Sequence, residues 1–262
     1  MMLGHQAIKL NMINKFRTFL YLIKYFLLRN FVRKYKISSI QNYGFVVNDY
    51  LVYENKLDLL FKKYGSDKGG GTKSSCLGWY PHNYSQLYHE IFFKFRNQKF
   101  NFLEVGIGSI NQSIKSALPL HCKSGASLRA FQEYFPKAQI YGCDIDKDVL
   151  FKDKRILTFY LDQTSKKECR EFFFKLNKKF TIIIDDGLHE FNANIILFQE
   201  AINYLNVDGI YIIEDVNEFK IKNYYNYFSR YKNKYIINFF NIHNSKFLGR
   251  SNNFIMIRKI KI

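Results

Sequence analysis

Five short apolar runs, NFLEVGI, QIYGCDI, ILTFYLD, FTIIIDDG and GIYIIED, each carry carboxylates at or beside their C-terminal ends. The acids are Glu104, then Asp144 and Asp146, Asp162, Asp185 with Asp186, and Glu214 with Asp215. The chain has 22 acidic residues against 40 basic ones, so a solvated-loop explanation would put lysines at several of these positions. If the runs are parallel strands, a ligand sits beyond those ends. Gly106 and Gly108 follow the first run and allow a tight turn without side chains. The third glycine of a dinucleotide fingerprint is missing, because position 111 is Asn. Glu104 before the turn would repel a pyrophosphate and suits a cationic ligand. Asp144 can accept two ribose hydroxyls, and Asp162 can accept from an adenine amino group. Ribose, adenine and a positive group without phosphate describe S-adenosylmethionine.

Elements able to position these residues follow from the pattern. The runs hold five to seven apolar, often β-branched residues bounded by Gly or Asp, as doubly buried parallel strands do. Helical stretches at 124–135, 164–177 and 190–206 separate them, with another at 218–231. This alternation predicts an α/β fold with a doubly wound, mostly parallel, Rossmann-like sheet. The tail, KYIINFFNIH and NNFIMIRKI, predicts two consecutive strands and an antiparallel C-terminal edge. Residues 100–262 are thus expected to form the cofactor-binding catalytic domain. Residues 49–99 form a helical cap around a glycine-rich connector, GSDKGGGTKSSCLGWYPHNY, which composition alone leaves open between a plain loop and a lid. Asp67, Lys68, His82 and Tyr84 are the connector's chemically useful groups, and Trp79 and Tyr80 the aromatics beside them.

Residues 1–48 contain eight Lys or Arg and no acid, and FRTFLYLIKYFLLRNFVRKY within them reads as helix. This basic, aromatic extension is compatible with peripheral contact to the inner face of a membrane. Its cations do not cluster on one helical face, which favours docking on the domain or on a second copy. No run of 18 uncharged apolar residues predicts a spanning helix. The net charge of +18 comes from 30 Lys and only 10 Arg, a weak signal for nucleic acid, so no specific nucleic-acid partner is expected. Hydrophobic residues make up 47% and aromatics 18%, which excludes disorder as the main state. Four widely spaced cysteines predict reduced thiols in a cytoplasmic setting, with neither zinc knuckle nor disulfide frame.

Several stretches resemble the metal-dependent sugar O-methyltransferases of the mycinamicin type, within the class I S-adenosylmethionine-dependent methyltransferases. Bacterial capsule and polysaccharide methyltransferases are similar. The stretches are YGSDKG, HNYSQLYHEIF, FLEVGIG, GASLRAFQEYFPKAQIYGCDID, LDQTS, IIIDDGLHEF and IIEDV, spread over roughly residues 60–220. The resemblance implies Asp186, Glu214 and Asp215 as ligands of Mg²⁺ or Mn²⁺ and His189 as general base. It implies cofactor contacts from Asp67, Glu104, Gly106, Gly108, Asp144, Asp162, Gln163 and Asp185. It favours the lid over the loop, with His82 and Tyr84 at the acceptor. Leu188 stands where the family's pattern has Ser.

Elementary chemistry points the same way. Asp186 and the Glu214–Asp215 pair end consecutive runs, and hard oxygens at an open site suit Mg²⁺ or Mn²⁺. A hydroxyl beside such an ion loses its proton more easily, and His189 can take it. The plainer alternative is that His189 and Asp186 only cap a helix and a turn. The expected activity is O-methylation of a sugar or glycoconjugate, in capsular or surface polysaccharide synthesis. A phosphoryl or phosphoramidate oxygen is the nearest alternative acceptor; an RNA methyltransferase using the basic arm and a non-catalytic binding protein are the others. A homo-oligomer is compatible with all of them.

Overall fold

The computed structural model describes residues 45–47, 54–70, 81–120, 122–242 and 252–259. Nearly all of the basic extension, and Trp79 and Tyr80 in the connector, lie outside these. Residues 45–262 form one compact unit.

Nine strands make one sheet among the described residues: β1 (Phe45–Val47), β2 (Asn101–Val105), β3 (Gln139–Asp144), β4 (Lys152–Asp153), β5 (Ile156–Tyr160), β6 (Phe180–Asp185), β7 (Leu205–Ile213), β8 (Tyr235–Ile242) and β9 (Asn253–Lys259). Their order is β1-β8-β9-β7-β6-β2-β3-β5-β4. All five apolar runs are strands, mutually parallel from β5 through β3, β2 and β6 to β7. The helices between them are α3 (Ala126–Tyr134), α4 (Lys166–Leu176) and α5 (Phe191–Ala201), with α6 (Ile221–Phe228) after β7. The tail departs from a simple edge. β9 lies inside the sheet, antiparallel to both β7 and β8. β8 is capped in turn by β1, parallel to it, so the end of the extension contributes a strand. The apolar pattern of the tail reveals strands but not their neighbours, because pairing partners are chosen by tertiary packing.

Side-chain parity along the strands assigns each face. Leu103, Val105, Ile183, Tyr211 and Ile213 face a core shared with α4, α5 and α6. Phe102, Ile182, Ile184, Ile210 and Ile212 face a second core with α3 and two helices from the N-terminal side, α1 (Lys56–Tyr64) and α2 (Tyr84–Phe92). Glu104 and Glu214 have the same parity as this second set, so both point toward α2. No helix among the described residues is long and apolar enough to cross a membrane.

One cysteine departs from expectation. Cys143 and Cys169 are buried free thiols, but Cys122 is disulfide-bonded. Spacing along the chain does not report the Cα approach, below about 7 Å, that lets two cysteines pair.

Candidate active site

The strand-end carboxylates divide into two groups held in different ways. Around β2, β3 and β5, Asp144, Asp146 and Asp162 are held by amides and hydroxyls of the adjoining loops. Gly106 turns at φ 90°, and a Cβ there would lie 2.0 Å from the carbonyl oxygen of Asp186. The glycine is therefore required by the close passage of the β6 loop, a reason different from the ligand approach inferred from sequence. Gly108 has φ 88°, and a Cβ would meet the Leu118 side chain. Asp144 Oδ2 accepts from the Ile107 amide at 2.9 Å and Oδ1 from the Asp146 amide at 2.9 Å. Burial pushes its carboxyl up, while those backbone donors pull it down. Asp146 accepts from the Ser109 hydroxyl and the Asp148 amide. Asp162, half-buried, accepts from the Thr164 amide and hydroxyl. Each oxygen with one donor keeps accepting capacity for a ligand.

Glu104 is fully buried on the other face of β2. Oε2 accepts from Ser127 Oγ at 2.7 Å, whereas Oε1 has no hydrogen bond and lies 3.4 Å from Lys68 Nζ. Burial pushes its carboxyl up to about 7 despite the lysine.

Around β6 and β7 the carboxylates are held by side chains from the N-terminal segment. These two strands pair in register, Asp185 opposite Ile213, which puts Asp186 beside Glu214 and Asp215. Tyr84 and Tyr88 stand four residues apart on α2 and so share a face. Tyr84 OH donates to Asp215 Oδ1 at 2.6 Å, and Tyr88 OH donates to Glu214 Oε1. Lys68, 2% exposed, donates to Asp186 Oδ2 at 2.5 Å and Glu214 Oε2 at 2.6 Å. Burial opposes its charge, but Asp186, Glu214 and Glu104 outweigh it and hold the ammonium well above its ordinary range. Burial likewise raises the carboxyls of Asp186 and Glu214, with Lys68 opposing.

Backbone bonds deliver Lys68 to this place. The amides of His82, Asn83 and Ser85 donate to the carbonyls of Asp67, Gly69 and Lys68, each at 2.8 Å. Asp58 on α1 accepts from Ser85 Oγ and the Gly70 amide. Both ends of the connector are thereby fastened under the site.

His82 and Tyr84, expected at the acceptor, are both buried. The His82 ring stacks on Tyr84, with nitrogens 3.1 Å from Asn252 Oδ1 and 3.5 Å from each of Asp67 and Asp215. Burial disfavours its charge, yet Asp215 and Asp67 raise it to about 10. His82 and Tyr84 both back the β7 carboxylate Asp215. Gln163 and Asp185, expected at the cofactor, are bonded to each other and to their neighbours. Gln163 donates to Asp185 Oδ1 at 2.9 Å and accepts from the Leu188 amide at 2.7 Å. Asp185, fully buried, accepts further from Asn194 and Tyr211.

Asp186, His189 and Asp215 each present one donor atom, all within 4.8 Å of one another. His189 and Asp215 both have left-handed backbone, φ 58° and 52°, conformations uncommon outside glycine and concentrated at functional sites. His189 Nε2 is 4.0 Å from Asp215 Oδ2, and its Nδ1 is buried without a hydrogen bond. Glu214, expected as the third ligand, accepts from Lys68 and Tyr88.

The architecture has counterparts among solved structures. MycE methyltransferase of the mycinamycin biosynthetic pathway, in complex with Mg and SAH, superposes with a TM-score of 0.58 at 23% identity, over 80% of this chain and 56% of that one. The chain has the class I methyltransferase fold. No family model matches it. It is 27% identical over 154 residues to 8-demethyl-8-alpha-L-rhamnosyl tetracenomycin-C 2'-O-methyltransferase of Streptomyces olivaceus. It is 30% identical over 148 residues to mycinamicin VI 2''-O-methyltransferase of Micromonospora griseorubida, and 31% over 165 residues to L-olivosyl-oleandolide 3-O-methyltransferase of Streptomyces antibioticus. These matches cover 59%, 55% and 61% of this chain but only 36%, 33% and 36% of the relatives, so the chain spans about a third of their length.

Within this methyltransferase fold, sequence reasoning passed over Tyr88, Ser127, Asn194 and Asn252, and weighed Lys68 only as a lid residue. The i, i+4 tyrosines of YSQLY were a usable signal; Ser127 and Asn252 had none, since only the folded chain brings them to their partners.

Proposed function

We propose that the protein is an S-adenosylmethionine-dependent, divalent-metal-dependent O-methyltransferase acting on a sugar hydroxyl of a capsular or other surface polysaccharide or its precursor. The observation that carries this reading is the grouping of Asp186, His189 and Asp215 within 4.8 Å beside the β2 turn. The hard carboxylate oxygens of Asp186 and Asp215 suit Mg²⁺ or Mn²⁺, and the His189 imidazole beside them suits a base. Charge supports it too: among the described residues, the carboxylates of Asp67, Glu104, Asp186, Glu214 and Asp215 lie around Lys68 and His82. Asp186 and Asp215 would hold the ion, with Glu214 in the third place. The relatives support the sugar, since two are named for a rhamnosyl or an olivosyl group.

Bound S-adenosylmethionine supplies an electrophilic methyl group, and a bound divalent ion makes a nearby hydroxyl more acidic. The chain's residues do the rest. Asp144 would accept from the ribose and Asp162 from the adenine. Glu104, whose Oε1 lacks a hydrogen bond and lies 3.4 Å from Lys68 Nζ, would supply negative charge toward the cationic end of the cofactor. Asp185 and Gln163 brace the β6 loop from behind. His189 takes the acceptor's proton at a ring nitrogen, and Asp215 stabilises the imidazolium.

Calorimetric titration with S-adenosylhomocysteine, followed by turnover on glycan acceptors with Mg²⁺ or EDTA, tests the reading. Micromolar cofactor-product binding and EDTA-sensitive turnover are expected; absence of binding in either buffer would sink it. Nearly full activity in His189→Ala would move the acceptor to a phosphoryl oxygen, which needs no base.

A further inference from the structure

Lys68 lies outside the expected set of ligands and base, yet it touches more of the acidic cluster than any other cation among the described residues. Its ammonium is within 4.0 Å of carboxylates on three separate strand ends: Asp186 after β6, Glu214 after β7 and Glu104 on β2. The Lys68, Glu104 and Glu214 side chains are 3%, 0% and 1% exposed, so water cannot screen them. A buried ion pair is expensive to form and more expensive to break. A chain that fastens both flanks of Lys68 by backbone hydrogen bonds, with Asp58 beneath, has committed structure to keeping that ammonium in place.

We infer that Lys68 is a positioning residue that serves as the cluster's built-in counter-cation and thereby sets how tightly, and with which carboxylates, the centre takes up a divalent ion. This rests on the metal reading proposed above. The ammonium neutralises Glu214, Glu104 and one oxygen of Asp186, Oδ2, and leaves the other Asp186 oxygen, with Asp215 and His189, to the ion. Two consequences have the same sign. The ammonium repels a cation bound alongside it, and it holds Glu214 away from ligation. The chain therefore gains a stable metal-free state at the expense of metal affinity.

Mn²⁺ titration of the full chain, read by calorimetry and by the metal-induced rise in Tm, tests this without reference to turnover. Lys68→Met should bind Mn²⁺ about tenfold or more tighter, melt lower than wild type without metal, and show a larger rise on adding it. Lys68→Arg should keep the wild-type affinity. A purely structural lysine predicts the opposite for Lys68→Met: unchanged or weaker Mn²⁺ binding, which overturns the inference. Lys68→Met/Glu104→Gln, which removes one charge of each sign, should recover metal-free stability and covers the case in which the single variant does not fold. Failure of the double variant to recover it also counts against charge compensation. Wild-type protein that takes up no Mn²⁺ at all would reject the metal reading itself, a result distinct from both.

Discussion

The two halves of the sheet's carboxyl edge are equally acidic but differently built. In the β2–β3–β5 half, Asp144, Asp146 and Asp162 are tied by amides or hydroxyls of the loops beside them, most within two residues. In the β6–β7 half, Asp186, Glu214 and Asp215 are tied by Lys68, Tyr88 and Tyr84, each more than a hundred residues away. The first half needs little beyond the sheet and its own loops. The second is complete only when the segment carrying α2 and the connector packs on it. Under the proposed function, cofactor binding belongs to the half that assembles locally, and metal chemistry to the half that depends on long-range packing.

The largest expected effect separates the two. Asp186→Asn and Asp215→Asn should each lower turnover by about a thousandfold or more, with S-adenosylhomocysteine affinity within about threefold of wild type on calorimetry. Loss of that affinity as well would mean the halves are not independent. The converse comes next. Asp144→Ala should weaken S-adenosylhomocysteine by about 2 kcal/mol, a charged hydrogen-bond acceptor's worth, and leave Mn²⁺ affinity alone. A fall in Mn²⁺ binding would break the division from the other side.

Smaller effects sharpen the comparison. Tyr88→Phe leaves a buried oxygen of Glu214 without its donor and should cost about 1–3 kcal/mol in urea unfolding. Ser109→Ala, which removes the hydroxyl donating to Asp146, should cost about 1 kcal/mol and no Mn²⁺ affinity. Equal costs for the two would argue against a packing-dependent second half. The smallest effect is expected at Cys169 behind the sheet. Burial, with Asp185 and Asp162 adding to it, pushes its thiol up to about 12, so iodoacetamide should leave it unmodified in the native protein at neutral pH. Rapid labelling would show that the α4 face opens.

Much of this was legible in the sequence because it is local. A five-residue apolar run ending in Asp or Glu specifies a buried strand and a polar tip together, and the alternation with helices specifies that β2, β3, β5, β6 and β7 run parallel. Asp186, Glu214 and Asp215 can be grouped from the sequence alone, since they end consecutive strands. His82, Tyr84, Gln163 and Asp185 can be singled out in the sequence, yet the atoms they touch cannot. Their side chains turn inward to Asp215, Leu188 and Asn194, and burial is decided by what packs on top.

The sequence by itself determined the strands, their acidic ends and the chemistry those ends can do, because periodicity and residue type act over a few positions. Only the tertiary structure decided that β9 enters between β7 and β8, and that Lys68 and the α2 tyrosines become the counter-charges and donors of the β6–β7 carboxylates. Those contacts join residues far apart along the chain. They hold because a buried charge must meet its partner wherever folding brings one.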